Sequence, residues 1–424
     1  MGMNRLSGTL VWPVRLGVGL GAAVLLVLAC TPKNDQHPET LRHQVACQQY
    51  LDKAAGEAEE ARQQEALTQA ESRCRLCLEY DKANPECLNL MGLVWYLRGN
   101  FDEARDWYKR AMRSKNDFPE ARNNMGILHM QQKPPDYDEA ITMFSSAIKI
   151  DPGYQDGRWN LALAYSNKGN IAFAEADKKA ASKRANKVDP KVISSLYADA
   201  ESNYARCDEQ LRRLFELNPK NFQAYFMMGY IELQRSNYAP TENARRVNLQ
   251  RAQDMGLRCW ELAPRDRPEA KQCAGTLGAV FGALAQDDQS MTYWMSCLSL
   301  DPKEPECLRG FQEASARVAL TRGGLKKYLD QIAQNPGYAQ GYFNLCVGAF
   351  EQNLQDIGAS ACEQALQLDE NICLAHHQLG KHYRTILNQE RAIASCRKFV
   401  SCAGTLHPAE VQECKDMVAQ LEMQ

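Results

Sequence analysis

The stretch from Pro85 to Pro152, PECLNLMGLVWYLRGNFDEARDWYKRAMRSKNDFPEARNNMGILHMQQKPPDYDEAITMFSSAIKIDP, states one pattern twice. In a 34-residue frame numbered from Pro85, Leu88, Met91, Gly92, Trp95, Ala104, Tyr108 and Ala111 fall at positions 4, 7, 8, 11, 20, 24 and 27. A second frame opens at Pro119 and puts Met125, Gly126 and His129 at 7, 8 and 11. After two inserted residues near Pro134 and Pro135, Ala140, Phe144 and Ala147 take the later positions. The spacing predicts two antiparallel helices per frame, with small residues admitting a close approach and large apolar ones filling the space between. Gly99-Asn100 supplies a helix end that tolerates positive φ, and Asp102-Glu103 places acid charge in the first turn of the second helix. One such pair cannot bury its apolar face alone, so the frames must stack.

These residues resemble the tetratricopeptide repeat (TPR). The resemblance implies an all-α, right-handed solenoid of about eight helix pairs, whose first helices (helix A) line a concave surface that binds protein. Further frames follow. One begins at Gln155, with Leu161, Ala162, Tyr165 and Gly169 in register, and two regular ones run from Ala339 to Ile372 and from Cys373 to about Leu406. The predicted organisation is a signal segment at 1–29 and a polar tether at 30–43, then a degenerate N-terminal helical cap at 44–84. An array at 85–222 follows, then irregular repeats at 223–338, a C-terminal pair at 339–406 and a capping helix at 407–424. The array carries a basic insert at 176–199, where ADKKAASKRANKVDPK holds six Lys or Arg against two Asp. That insert reads either as a basic knob for an anionic surface or as a solvated helix extension. Between Ala239 and Gln250 the register is also interrupted, with the second helix resuming at Ala252.

Upstream of the repeats, Arg5 and Arg15 precede an apolar run from Leu16 to Ala29 that stops at Cys30. The run is short for a membrane span and reads as the h-region of a secretory signal. Ala29-Cys30 is similar to a bacterial lipobox, which implies cleavage before Cys30 and lipid on its thiol; an uncleaved N-terminal anchor is the alternative. Thr31 stands where Asp would favour inner-membrane retention, so the resemblance implies an outer-membrane lipoprotein facing the periplasm. The formal net charge is −2, which gives no bulk attraction for nucleic acid.

Sixteen cysteines suit an oxidising compartment. Cys77 and Cys87 stand at position 27 of one frame and 3 of the next, and Cys297 and Cys307 repeat that spacing. The end of one helix B and the start of the next helix A meet across a short turn, so both pairs are candidate disulfides. Cys362 with Cys373 is a third candidate, and Cys402 with Cys414 would tie the last repeat to the cap. The alternative is cysteine as a small packing residue, which suits Cys346 at position 8. The Cys74-Arg75-Leu76-Cys77 motif and the His376, His377 and His382 group lack the context a redox or metal site requires.

No nucleophile elbow, phosphate-binding glycine loop, HExxH or paired catalytic carboxylates stand in a suitable context, so the expectation is a scaffold with no enzyme activity and no cofactor. Its candidate contact surface is the helix A face: Asn89, Leu93, Tyr96, Leu97; Asn123, Asn124, Ile127, Met130; Trp159, Asn160, Leu163. Side-chain amides among apolar groups suit the backbone of an extended peptide, with the large side chains taking its residues. Packing of Leu93, Leu97 and Ile127 against neighbouring helices is the competing reading. The basic residues of the carboxylate-clamp subclass are missing from these positions. Lipobox plus array resembles the type IV pilus biogenesis lipoproteins, the pilotins that promote assembly of secretin rings, and the resemblance implies a secretin or other envelope protein as partner. A permanent strut in an envelope-spanning motility or secretion machine is the alternative.

Cys30→Ser should abolish acylation and leave the protein soluble or uncleaved. Intact-mass analysis of wild type lacking acyl chains, with the variant still in the outer-membrane fraction, would reject the lipoprotein reading.

Overall fold

A computed structural model describes residues 37–423, apart from 58, 184–188, 265–269 and 405. The signal segment, Cys30 and the first part of the tether therefore lie outside the described residues, as does the centre of the basic insert. Two compact units divide at Pro219 and Lys220. Among the described residues there are nineteen α-helices and no strand.

Unit 1 pairs α1 (Pro38–Gly56) with α2 (Glu60–Tyr80) and α3 (Pro85–Leu97) with α4 (Phe101–Ser114). It continues with α5 (Pro119–Met130) against α6 (Tyr137–Ile150) and α7 (Gln155–Lys183) against α8 (Pro190–Leu217). Unit 2 pairs α9 (Phe222–Tyr238) with α10 (Glu242–Leu262) and α11 (Ala270–Ala283) with α12 (Asp287–Leu300). There α13 (Pro305–Thr321) meets α14 (Lys326–Gln334) through a 3-10 turn, and α15 (Ala339–Glu351) packs on α16 (Gln355–Leu368). The last pair is α17 (Cys373–Thr385) with α18 (Gln389–Ala403), covered by α19 (Pro408–Glu422).

The punctuation is local chemistry. Asn84 accepts from the Cys87 N–H at 2.9 Å and Pro85 takes the first helical position, which starts α3. Asn100 and Asp136 cap α4 and α6 by accepting from Glu103 and Glu139 N–H groups, and Gly99 turns the chain between α3 and α4 at φ +76°. Position 8 then sets how close two paired helices come. A Cβ on Gly92 would overlap the buried Tyr108 ring, and one on Gly126 would stand 2.5 Å from Phe144 Cε1.

Two segments depart from the sequence-based expectation, and a third takes one of the two forms it allowed. Residues 38–43, assigned to the tether, are helical: His37 Nδ1 accepts from the Glu39 N–H at 3.3 Å, and Thr40, His43, Cys47, Leu51 and Ala54 form one buried stripe. Its 3,4,4,3 spacing is that of a helix face, but the polar members Thr40 and His43 hid it. The interruption after Ala239 is the first half of a continuous α10, capped by Thr241 accepting from the Ala244 N–H at 3.1 Å. The described parts of the basic insert prolong α7 and α8, which stay packed together. Tyr204 donates to Asn170 Oδ1 at 2.8 Å, and the Phe173 and Tyr197 rings lie 6.0 Å apart. That is the helix-extension reading.

Among the described residues seven disulfides join fourteen cysteines: 47–74, 77–87, 259–273, 297–307, 346–362, 373–402 and 396–414. The pairs 77–87 and 297–307 cross the B-to-A turn, with Cα atoms 6.4 and 5.9 Å apart. The expected pairs Cys362–Cys373 and Cys402–Cys414 are not the ones formed. Cys362, at position 24, faces Cys346 at position 8 of its own repeat, with Cα atoms 5.1 Å apart. Cys373 opens a helix A, and antiparallel pairing places it beside the end of its own helix B, where Cys402 stands with its Cα 5.6 Å away. That leaves Cys414 of α19 to bond Cys396.

Non-reducing peptide maps of protein purified without reductant should recover these seven links, and reduction should lower stability by about 2–4 kcal/mol per loop opened. Quantitative alkylation of Cys77, Cys87, Cys297 and Cys307 without prior reduction would show that proximity alone brings them together.

Candidate functional site

In unit 1 the first helices of three repeats, α3, α5 and α7, stack side by side. Every predicted contact residue lies on one of them, and none is fully exposed. Asn89, Tyr96, Asn123, Ile127 and Met130 are buried; Leu93, Leu97, Asn124, Trp159, Asn160 and Leu163 are half-buried. The amides do something the sequence reading did not assign. Asn124 Nδ2 donates to Asn89 Oδ1 at 3.0 Å, and Asn160 Nδ2 donates to Asn123 Oδ1 at 2.8 Å. Position 5 of one repeat thus accepts from position 6 of the next, twice in succession. The recurrence of Asn at 5 and 6 in adjacent frames was the available signal.

These bonds divide the amides between two tasks. Asn89 and Asn123 are spent on stacking the repeats, since a buried amide left unpaired costs about 1–3 kcal/mol. Among the described residues, the Asn124 and Asn160 carbonyl oxygens carry no partner, and both side chains reach solvent. They keep acceptors for an incoming N–H.

The aromatic residues divide likewise. Tyr96 is 9% exposed and its ring lies 5.6 Å from that of Phe101. Burial pushes its hydroxyl up to about 12, and a hydrogen bond with Gln131 works the other way. It is therefore a neutral packing residue at any physiological pH. Trp159 is half-buried, flanked along the row by Leu163 and Asn160. Ile127 and Met130 belong to the core shared with Met125, Leu128 and Leu161, and Leu93, Leu97 and Leu163 pack against it while staying half-buried, so the neighbour-packing reading holds for Ile127 and in part for Leu93 and Leu97.

The other groups singled out in the sequence disperse. Cys74 and Cys77 enter different disulfides, with Cys47 and Cys87. His377 Nε2 meets Glu413 Oε2 at 2.9 Å, His382 Nδ1 meets Gln355 Oε1 at 3.1 Å, and burial holds His382 below the usual imidazole range. Among the described residues no cluster of three His, Cys, Asp or Glu is placed to hold a metal ion. No described helix is long and apolar enough to cross a membrane.

A protein-family model described as a TPR repeat matches residues 92–133, from the middle of α3 to just past α5. The chain carries a tetratricopeptide repeat. The TPR match covers the Asn124 and Ile127 part of the candidate face. No curated protein matches the sequence. Among solved structures, PilF of Pseudomonas aeruginosa is similar at 15% identity, covering 65% of this chain and 99% of its own, with a TM-score of 0.41. A TPR protein of Parabacteroides merdae is similar at 12% identity over 92% of this chain and 100% of its own, with a TM-score of 0.34.

A double-mutant cycle on Asn123→Ala and Asn160→Ala should give a coupling of about 0.5–1.5 kcal/mol in urea unfolding. Strictly additive effects would mean the amide bridge adds nothing to repeat stacking.

Proposed function

We propose that the chain is a non-catalytic scaffold that binds a segment of a protein partner along α3, α5 and α7. The observation that carries this is the row of half-buried groups, Leu93, Leu97, Asn124, Trp159, Asn160 and Leu163, offering apolar surface and amide acceptors that the stacking bonds leave over. An extended segment can satisfy those acceptors with its own N–H groups while its side chains cover Trp159 and the leucines.

The finer reading is an outer-membrane lipoprotein, held through Cys30 and facing the periplasm, that assists assembly of an envelope complex such as a type IV pilus secretin. It is supported by the apolar run ending in Ala29-Cys30 and by the cysteine-rich composition. Membrane attachment in this reading is through the N-terminal lipid, and nucleic acid has no part in it. The seven disulfides favour a second reading, a stiff structural component of a motility or secretion machine.

Trp159→Ala should weaken partner binding by about 2 kcal/mol, roughly thirtyfold, while the melting temperature moves little. Tyr96→Ala removes buried packing and should lower the melting temperature, so it serves as the destabilised control. In cells carrying a secretin, Trp159→Ala should reduce the assembled multimer without reducing secretin synthesis. Unchanged multimer with a stable variant protein would set the pilotin reading aside and leave the strut ahead.

A further inference from the structure

In unit 1, α1 and α2 enclose an open pocket of about 460 Å³. Its lining includes Arg42, His43, Tyr50 and Lys53 of α1 and Arg73 of α2, and holds no carboxylate. Lys53 and the half-buried Arg73 make no ion pair among the described residues. Among the described residues Arg42 pairs with Glu39, at 3.5 Å, with its side chain 77% exposed. His43 is 9% exposed; Nε2 lies 3.7 Å from Glu39 Oε2, and Nδ1 has no hydrogen-bond partner. The nearest other acid on α1, Asp52, is held by Gln48 at 2.8 Å.

Three cationic side chains line the cavity; Glu39 offsets Arg42, while Lys53 and Arg73 have no ion-pair partner among the described residues and raise the local potential. The chemistry fits a phosphate, which takes several charge-assisted bonds at once. Two features point to the source of that phosphate. Leu41 and Val45 are 52% and 39% exposed and lie one helix face over from Arg42 and Lys53. This apolar stripe beside a basic one is the pattern of a helix resting in a membrane interface. Pro38 also stands eight residues after Cys30, a tether of about 28 Å at most.

We propose that the α1–α2 pocket takes the phosphate headgroup of an anionic phospholipid, with Leu41 and Val45 entering the interfacial layer. The source, though not the phosphate chemistry, rests on the reading that Cys30 is lipidated. Bound in this way, the first helix pair lies against the membrane as a second contact beside the anchor.

The test is flotation of the unacylated chain beginning at Thr31, which keeps every described residue, with phosphatidylglycerol–phosphatidylcholine vesicles and with phosphatidylcholine vesicles alone. Binding should occur only to the anionic vesicles. It should fall about twenty-fivefold in the Lys53→Gln/Arg73→Gln double variant, at roughly fivefold per basic residue, and persist in Lys53→Arg/Arg73→Lys. Leu41→Ser/Val45→Ser should also weaken it. Equal binding to neutral vesicles, or no loss in a double variant whose thermal melt matches wild type, would overturn the proposal. Inorganic phosphate that stabilises the chain in a thermal melt, with no flotation on anionic vesicles at the same ionic strength, would reject the lipid and assign the pocket to a free anion. Acylation of Cys30 is read separately by intact mass, so failure of the anchor and failure of the pocket give different results.

Discussion

The structure depends on one repeated contact, that between position 8 of helix A and position 24 of helix B. In three repeats an aromatic ring at position 24 meets a glycine at position 8: Tyr108 lies over Gly92, Phe144 over Gly126 and Trp294 over Gly278. Trp294 reaches further, because a Cβ on Gly310 of the next helix A would also overlap its ring. The same side chain therefore fixes the spacing inside a repeat and the stacking on its neighbour. Close-packed interiors respond sharply to a single added methylene at such a point. In the repeat beginning at Ala339 the two positions are Cys346 and Cys362, and a covalent bond replaces the ring-on-glycine contact.

This substitution explains what could and could not be read from the sequence. Gly92, Gly126 and their aromatic partners stand out because a missing side chain at a fixed period is conspicuous. Cys346 was read as a small residue at position 8, correct in place, but a cysteine there is silent about whether it packs or bonds. The B-to-A pairs were legible because two positions ten residues apart recur twice. The bridges Cys47–Cys74, Cys373–Cys402 and Cys396–Cys414 depend on which helices lie side by side and in what register, which spacing alone leaves open. The start of α1 stayed hidden for another reason. Thr40 and His43 are buried polar residues, and hydropathy marks them as surface.

The candidate face was legible as a row, and its internal division was not. Position 5 and position 6 differ by one residue, a rotation of about 100° on a helix. Asn89 and Asn123 therefore turn toward the following repeat as acceptors, while Asn124 and Asn160 donate back and keep an edge to solvent. Identical residue types one position apart thus serve opposite roles. Only the geometry of the stacked helices separates a stacking amide from one available to a ligand.

The placement of the disulfides bears on which part of the chain can adapt. Among the described residues no disulfide involves any helix from α4 to α9, whereas α1, α2 and α3 are joined in series and every helix from α15 to α19 takes part in a bridge. The candidate face therefore belongs to helices of which only α3 is covalently tied. What holds α3, α5 and α7 side by side is apolar packing and two side-chain amide hydrogen bonds, each worth about 1 kcal/mol net. Helices held in this way open and shift at lower free energy than stapled ones. A binding face that must close over a segment of another chain needs that freedom, and a rigid load-carrying array does not. The unstapled position of these helices thus argues for partner binding in unit 1, while the bridges of unit 2 suit an element that keeps its shape.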